Sequence, residues 1–313
     1  SVIGDWTLTP GLRLDHFAID VTSQAGYFPP AKQPGQSLSG SAASPKLGAM
    51  YRVTPEWSAY GQFAAGFRPP EAGQINDRFE AIVPPNQRVV IQPNPNLKPE
   101  RSRGFEGGVR GRTGELSLDV AAFANRYSNL IVDAEFVREV GNERQFQAVN
   151  IPRARIHGFE IKGRYDWGQV AGGRLANTFA FGMARGTNSD SGKPINSIDP
   201  ALLAVGLRYD TAQWGWWMDV RHHAAKKASD IDSEAIMAAR AGTQFATPAA
   251  TTLDVGVQWR PAKNVRVNVG VRNLTNRKYW LWPGVYGVAS TSPVRAASPP
   301  PGRGAHVSVR LDL

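Results

Sequence analysis

The sequence predicts an all-β protein: an antiparallel transmembrane β-barrel with about twelve strands in this chain. Three observations carry this. Apolar and polar residues alternate along segments of roughly ten residues, the length of a tilted membrane-crossing strand. The connections between these segments alternate between short and long. No run of about 18 apolar residues exists that would make a membrane-spanning helix. A soluble sheet with one buried face shows the same side-chain alternation, so it is the ordering of the connections that favours the barrel.

In chain order, a strand that includes Trp6 to Gly11 leads into a long connection at 23–45, and a strand follows up to a short turn at 53–56. The pattern then repeats, with long loops at 68–103, 128–152, 186–198, 224–250 and 274–303 and short turns at 112–114, 168–173, 210–213 and 261–264. The 32 glycines and 23 prolines suit so many reversals. Within strands, Leu116, Leu118 and Val120 alternate with Ser117 and Asp119. Leu253, Val255, Val257 and Trp259 oppose Asp254, Gln258 and Arg260, and Val265, Val267, Val269 and Val271 oppose Arg266, Asn268 and Arg272. The last strand sets Val307, Val309, Leu311 and Leu313 against Ser308, Arg310 and Asp312. Successive side chains of a strand point to opposite faces, so one face suits hydrocarbon and the other a wet lumen. Trp57, Tyr60, Trp167, Trp214, Trp216, Trp259 and Tyr279 lie near strand ends, where an interfacial aromatic girdle belongs.

The chain has no cysteine, which excludes disulfides, thiolate metal sites and cysteine nucleophiles. Its formal charge of +10 fits an anionic ligand or anionic headgroups. The basic residues are scattered rather than gathered on one helix or arm, so nucleic acid is not an expected partner. No nucleophile motif, phosphate-cradling glycine loop or spaced metal-ligand set is present. The nearest enzyme-like constellation is His222 or His223 with Asp230 and Asp232 at a barrel mouth, as a surface enzyme would need.

Two short segments name a family. Gly66-Phe67-Arg68-Pro69-Pro70 and Asn94-Pro95-Asn96-Leu97-Lys98-Pro99-Glu100 resemble the paired "FRAP" and "NPNL" boxes that bracket one external loop of TonB-dependent outer-membrane receptors for haem and haemoproteins. Asn273-Leu274-Thr275-Asn276-Arg277-Lys278-Tyr279 resembles a third segment of the same family. The resemblance implies a location in the Gram-negative outer membrane and a barrel of about 22 strands around an N-terminal plug. Residues 1–313 would then be the C-terminal part of that barrel, with plug, TonB box and signal peptide lying outside them, because an open sheet edge cannot stand in lipid. Implied partners are the TonB energy-transducing complex acting through the plug, outer-membrane lipid and the barrel assembly machinery. The resemblance implies no resident cofactor and no enzymatic activity; haem, a haemoprotein or a ferric siderophore is cargo. The family usually ends in an aromatic residue, and this chain ends in Leu313.

In the receptors that this loop resembles, a histidine between the boxes supplies an axial ligand to haem iron. The segment 71–93 contains no His, Tyr, Met or Cys, so it offers no such ligand here. Arg68, Arg78 and Arg88 are the candidate contacts for an anionic cargo in that loop, and Arg260, Arg266, Arg272 and Arg310 add positive charge on the lumen side. His222 and His223 open another loop with Asp230, Asp232 and Glu234, and at most one of the two faces the lumen while the strand persists. Tyr279 completes the candidate ligand-binding set. A purely architectural role is open for both boxes: prolines stiffen the loop's exits and Arg68 pairs with a lumen carboxylate. His157 falls where an external loop is expected to re-enter the barrel, and His16 and His306 sit in strands without visible partners. A receptor for a ferric siderophore or another large nutrient is the alternative reading, and a self-contained small outer-membrane pore or surface enzyme is the alternative of another class.

Overall fold

In a computed structural model, residues 2–20, 35–76, 78–83, 86–233 and 244–312 are described. The chain forms β1 (Val2–Ile3), β2 (Trp6–Ile19), β3 (Leu38–Arg52), β4 (Trp57–Arg68), β5 (Phe79–Val83), β6 (Gln87–Gln92), β7 (Glu100–Thr113) and β8 (Leu116–Val140). It continues with β9 (Glu143–Val170), β10 (Gly173–Asn188), β11 (Leu202–Asp210), β12 (Trp214–His223), β13 (Ala250–Ala262), β14 (Val265–Arg272) and β15 (Gly304–Leu311). Short helices α1 (Ala72–Asn76), α2 (Trp282–Val285) and α3 (Val294–Ala297) lie in the long connections. All fifteen strands belong to one sheet, and twelve of them, from β2 to β15 without β5 and β6, follow one another as an antiparallel meander. The meander is a partial barrel: among the described residues no ladder joins its first strands to β15.

The short turns fall where the sequence places them, and local chemistry explains two. Thr54 Oγ1 accepts from the amides of Glu56 and Trp57 between β3 and β4. Ala171 and Gly172 take positive φ (48° and 83°) between β9 and β10, the left-handed conformation that a two-residue hairpin turn requires.

Register then lays like on like. One row crosses Ala59, Val109, Val120, Ile161 and Phe181, and the next crosses Gly61, Gly107, Ala122, Phe159 and Met183. Further along the sheet Trp216, Val257, Val269 and Val307 oppose one another. This face exposes large apolar groups such as Phe105 (65%) and Val307 (67%), a surface suited to hydrocarbon rather than water. The opposite face is polar: Tyr60 donates to Asp119 at 3.4 Å, Arg208 pairs with Asp219 at 3.0 Å and Arg221 with Asp254 at 2.6 Å. At the turn end, Trp167, Trp214 and Trp259 form the expected aromatic border, with Trp214 and Trp259 stacked at 5.5 Å.

Several expectations need correction. Residues 128–152 are not a loop: β8 and β9 run on to a two-residue turn at 141–142 and make a tall hairpin. His157 lies in uninterrupted β9, not at a re-entry point. The segment 68–103 contains α1, β5 and β6, and β6 pairs in parallel with β9, from Arg88 opposite Glu143 to Gln92 opposite Gln147. The long connection expected to end at 45 gives way to β3 at Leu38. Tyr60 faces the lumen side and Tyr279 stacks on a histidine in a loop, so neither belongs to the girdle. His16 does have a partner, Ser41 Oγ at 3.0 Å from Nδ1.

Candidate functional site

The candidate site lies at the end of the sheet opposite the short turns, where the long connections meet. Its first component is a clasp. Glu100 at the start of β7 accepts two hydrogen bonds of 2.8 Å from Nε and Nη2 of Arg68 at the end of β4, the bidentate geometry in which arginine pairs best with a carboxylate. It also accepts the amide of Ile131 in β8 at 2.7 Å. The second box is fastened to the tall hairpin in the same way. Asn94 Nδ2 donates to the Ala148 carbonyl at 2.8 Å, and Asn150 exchanges bonds with both backbone groups of Lys98, at 2.8 and 2.9 Å. Leu97 completes the joint in a buried cluster with Ile131 and Ala148. Both boxes thus serve as joints that hold the segment 69–99 against β8 and β9.

Within that segment Arg78 and Arg88 converge on Glu80; Arg78 Nη2 lies 2.6 Å from it, and Arg88 also lies 3.3 Å from Glu143 of β9. Hydrogen bonds from Arg88, then Arg78, hold the Glu80 carboxyl below its usual range. These two candidate contacts are therefore engaged with each other's counter-ion, and Arg68 is engaged elsewhere.

The second component is a cap formed by the last two long connections. Trp282, Val285, Ala289 and Ile231 make a small buried core, packed by Phe245, Ala246, Trp280 and Val288. Trp282 Nε1 donates to the Asn196 carbonyl at 2.6 Å, and Lys226 Nζ, 4.8 Å from the Trp282 ring centroid, donates to the Ile198 carbonyl at 2.6 Å. Burial pushes the Lys226 ammonium pKa down. Between the cap and the tall hairpin lies a cavity of about 620 Å³ walled by Leu130, Val132, Ile195, Trp282 and Tyr286 and containing Glu135, Asp133 and Asp232. Burial, then the charge of Asp232, pushes the Glu135 pKa up to about 7.

The third component is a recess of about 810 Å³ on the lumen face, lined by Trp217, Arg221, His223, Arg272, Tyr279 and His306. His223 and Tyr279 stack at 5.9 Å between centroids. Their approach depends on the loop after β14: Asn273 takes positive φ (48°), its amide donates to Asp254 at 2.7 Å, and its side chain bonds both backbone groups of Arg277. His222 points the other way, to Thr251 Oγ1 at 2.9 Å. The two histidines thus face opposite sides of β12, and the imagined constellation with Asp230 and Asp232 is not assembled: Asp232 pairs with Lys193 at 3.4 Å. Glu234 lies outside the described residues. Among the described residues no group of three or more His, Asp or Glu is placed to hold a metal ion. Of the expected lumen cations, Arg260 pairs with Asp210 at 3.1 Å and Arg310 with Asp312 at 2.7 Å. Sequence reasoning did not anticipate Asn150 or Trp282, whose hydrogen-bond partners lie 21 to 86 residues away, nor Glu135, whose charged neighbour Asp232 is also distant in the chain.

Residues 1–274 match the family described as TonB dependent receptor-like, beta-barrel. The chain belongs to that family. It is 27% identical over 242 residues to a probable hemoglobin and hemoglobin-haptoglobin-binding protein 4 of Haemophilus influenzae, covering 71% of this chain and 23% of the relative. It is 26% identical over 266 residues to hemoglobin and hemoglobin-haptoglobin-binding protein A of Haemophilus influenzae, covering 80% and 24%. Among solved structures it is similar to the copper transporter OprC, with a TM-score of 0.76 and 18% identity over 98% of this chain and 46% of that one. It is similar also to the FrpB iron transporter of Neisseria meningitidis, with a TM-score of 0.67 and 19% identity over 99% and 42%. This TonB-dependent receptor chain therefore spans about a quarter of the curated relatives it matches.

Proposed function

We propose that these residues form the C-terminal wall and external mouth of an outer-membrane receptor that imports iron, with haem or a haemoprotein as cargo. The observation that carries this reading is the match to haemoglobin-binding relatives over 71–80% of the chain. The strands that close the barrel, and the plug through which the TonB complex acts, come in this reading from outside residues 1–313, because unpaired strand edges in hydrocarbon cost several kcal/mol per group. Outer-membrane lipid surrounds the apolar face, and the barrel assembly machinery inserts it.

Within that receptor, His223, Tyr279 and His306 are the side chains suited to meet haem iron, since all three line the lumen recess and both residue types serve as axial ligands; His223 and Tyr279, stacked on each other, are the pair favoured here. Arg272, on the same recess, suits a propionate. Haem titration of the complete receptor tests this. His223→Ala is expected to shift the haem absorption band and weaken binding about tenfold or more, while His222→Ala changes neither; equal behaviour of the two variants removes the histidine from the reading.

A ferric siderophore is the second reading, favoured by the absence of any iron ligand between the boxes. Failure of the receptor to support growth on haem as sole iron source, with growth on a ferric chelate retained, selects it.

A further inference from the structure

On the apolar face, the rows of Ala, Val, Ile and Phe stop abruptly at the loop end. Two residues beyond Phe105, Ala124 and His157, register places Arg103 of β7 opposite Arg126 of β8, and Arg126 opposite Arg155 of β9. Arg101 and Arg153 stand one step higher on the outer strands of this trio, and Arg185 of β10 stands opposite His157. The alternating exposure of β7 and the exposed state of Arg126, Arg155 and Arg185 put all of them on the outside.

Like charges directly opposite on neighbouring strands are unfavourable, and adjacent strands are only about 4.8 Å apart. Other arginines of the sheet do have carboxylate partners: Arg208 pairs with Asp219, Arg221 with Asp254, and Arg153, one step above the row, with Asp190. Arg103, Arg126, Arg155 and Arg185 have no carboxylate partner among the described residues. A row of like charges of this kind is relieved by an anion from outside the chain.

Height says which anion. Counting from Trp57 beside the short turn, Ala65, the residue opposite Arg103, is the ninth along β4. About 9–11 residues make one tilted crossing of the hydrocarbon. The row therefore stands where hydrocarbon ends and headgroups begin. Guanidinium binds phosphate oxygens bidentately, and basic clusters beside a membrane-spanning wall recruit phosphorylated lipids.

We propose that Arg103, Arg126 and Arg155, flanked by Arg101 and Arg185, form a docking belt for the phosphorylated headgroup of an outer-leaflet glycolipid. The belt rests on the outer-membrane reading above, and is separate from the cargo site because it faces away from the lumen. A bound lipid would hold β7, β8 and β9 together immediately below the clasp at Glu100 and so brace the tall hairpin from outside.

The test uses the full-length receptor in detergent, titrated with diphosphorylated lipid A and followed by native mass spectrometry. At about 1 kcal/mol for each basic residue, the R103S/R126S/R155S variant is expected to bind about 100-fold more weakly, and R103K/R126K/R155K, which keeps the charges and loses the paired donors, to fall between that variant and wild type. R126S alone, the milder change should the triple variant fail to fold, is expected to lose about fivefold. Equal retention of lipid A by wild type and the serine variants overturns the proposal. So does a site that fills with inorganic phosphate and ignores lipid A. Membrane fractionation keeps the two levels apart: a receptor missing from the outer membrane refutes the reading beneath, whereas a receptor found there with arginine-independent lipid binding refutes only the belt.

Discussion

Removing Glu100 separates its two partners cleanly. Glu100 is 8% exposed, and its carboxylate accepts from Arg68 twice and from the Ile131 amide once. Glu100→Ala deprives the buried Ile131 N–H of its acceptor, which costs about 1–3 kcal/mol. It also removes the ion pair with Arg68, whose side chain is 43% exposed, so that solvent screening limits this part to about 1 kcal/mol. The joint between β4, β7 and β8 is then weaker by about 3 kcal/mol, and amides that exchange through its opening exchange about 100-fold faster. Arg68→Ala leaves the Ile131 bond in place and loses only the screened pair, so its expected effect is about fivefold. Hydrogen exchange of the full-length receptor, read on peptides covering 69–99 and 128–150, measures both. Equal acceleration by the two substitutions, or none in either, would refute the division of labour assigned to this carboxylate.

Asn150→Ala removes three bonds that join Lys98 and Asn129 to β9 and is expected to cost about 1–3 kcal/mol locally, read as faster proteolytic cleavage within 69–99. Trp282→Ala empties the centre of the cap, where Trp282 is 3% exposed; a loss of about 3–5 kcal/mol from that small core is expected to expose 244–249 and 273–303 to protease while the strands stay folded. Glu135 titrates near pH 7 in the folded mouth against 4.5 as its ordinary value. Its contribution is fully present below about pH 4.5 and is lost as pH rises through about 7, because only the folded state keeps the proton in between. Glu135→Gln is therefore expected to resist loop proteolysis better than wild type at pH 8 and to match it at pH 4.5; a gain that is the same at both pH values would exclude titration as the cause.

The strands were legible because a pleated strand repeats every two residues, and this chain keeps that period most clearly in its C-terminal strands, as in Val265 to Val271. The signal weakened above the membrane. Residues 128–152 carry polar groups on both faces, so their pairing rests on register with a neighbour and not on any periodicity of their own, and they read as a loop. The pairing of β6 with β9 links segments about 55 residues apart and has no local signature at all. Of the candidate site, the prolines and Arg68 of the boxes pointed to architecture, and the opposite facing of His222 and His223 followed from strand geometry. That Tyr279 approaches His223 depends on the left-handed Asn273, a conformation that asparagine tolerates but does not announce.

The parallel pairing of β6 with β9 also bears on how such receptors can be re-engineered. A loop between two neighbouring strands is ordinarily a module, exchangeable at its two ends. Here five residue pairs from Arg88 to Gln92, the side chain of Asn150 and the carbonyl of Ala148 tie the loop to a hairpin encoded further along the chain. Grafting 69–99 alone into another receptor would transplant a sequence without the surface that shapes it. The exchangeable unit is the loop together with the tip of the hairpin beside it, two stretches of gene that must travel as a pair.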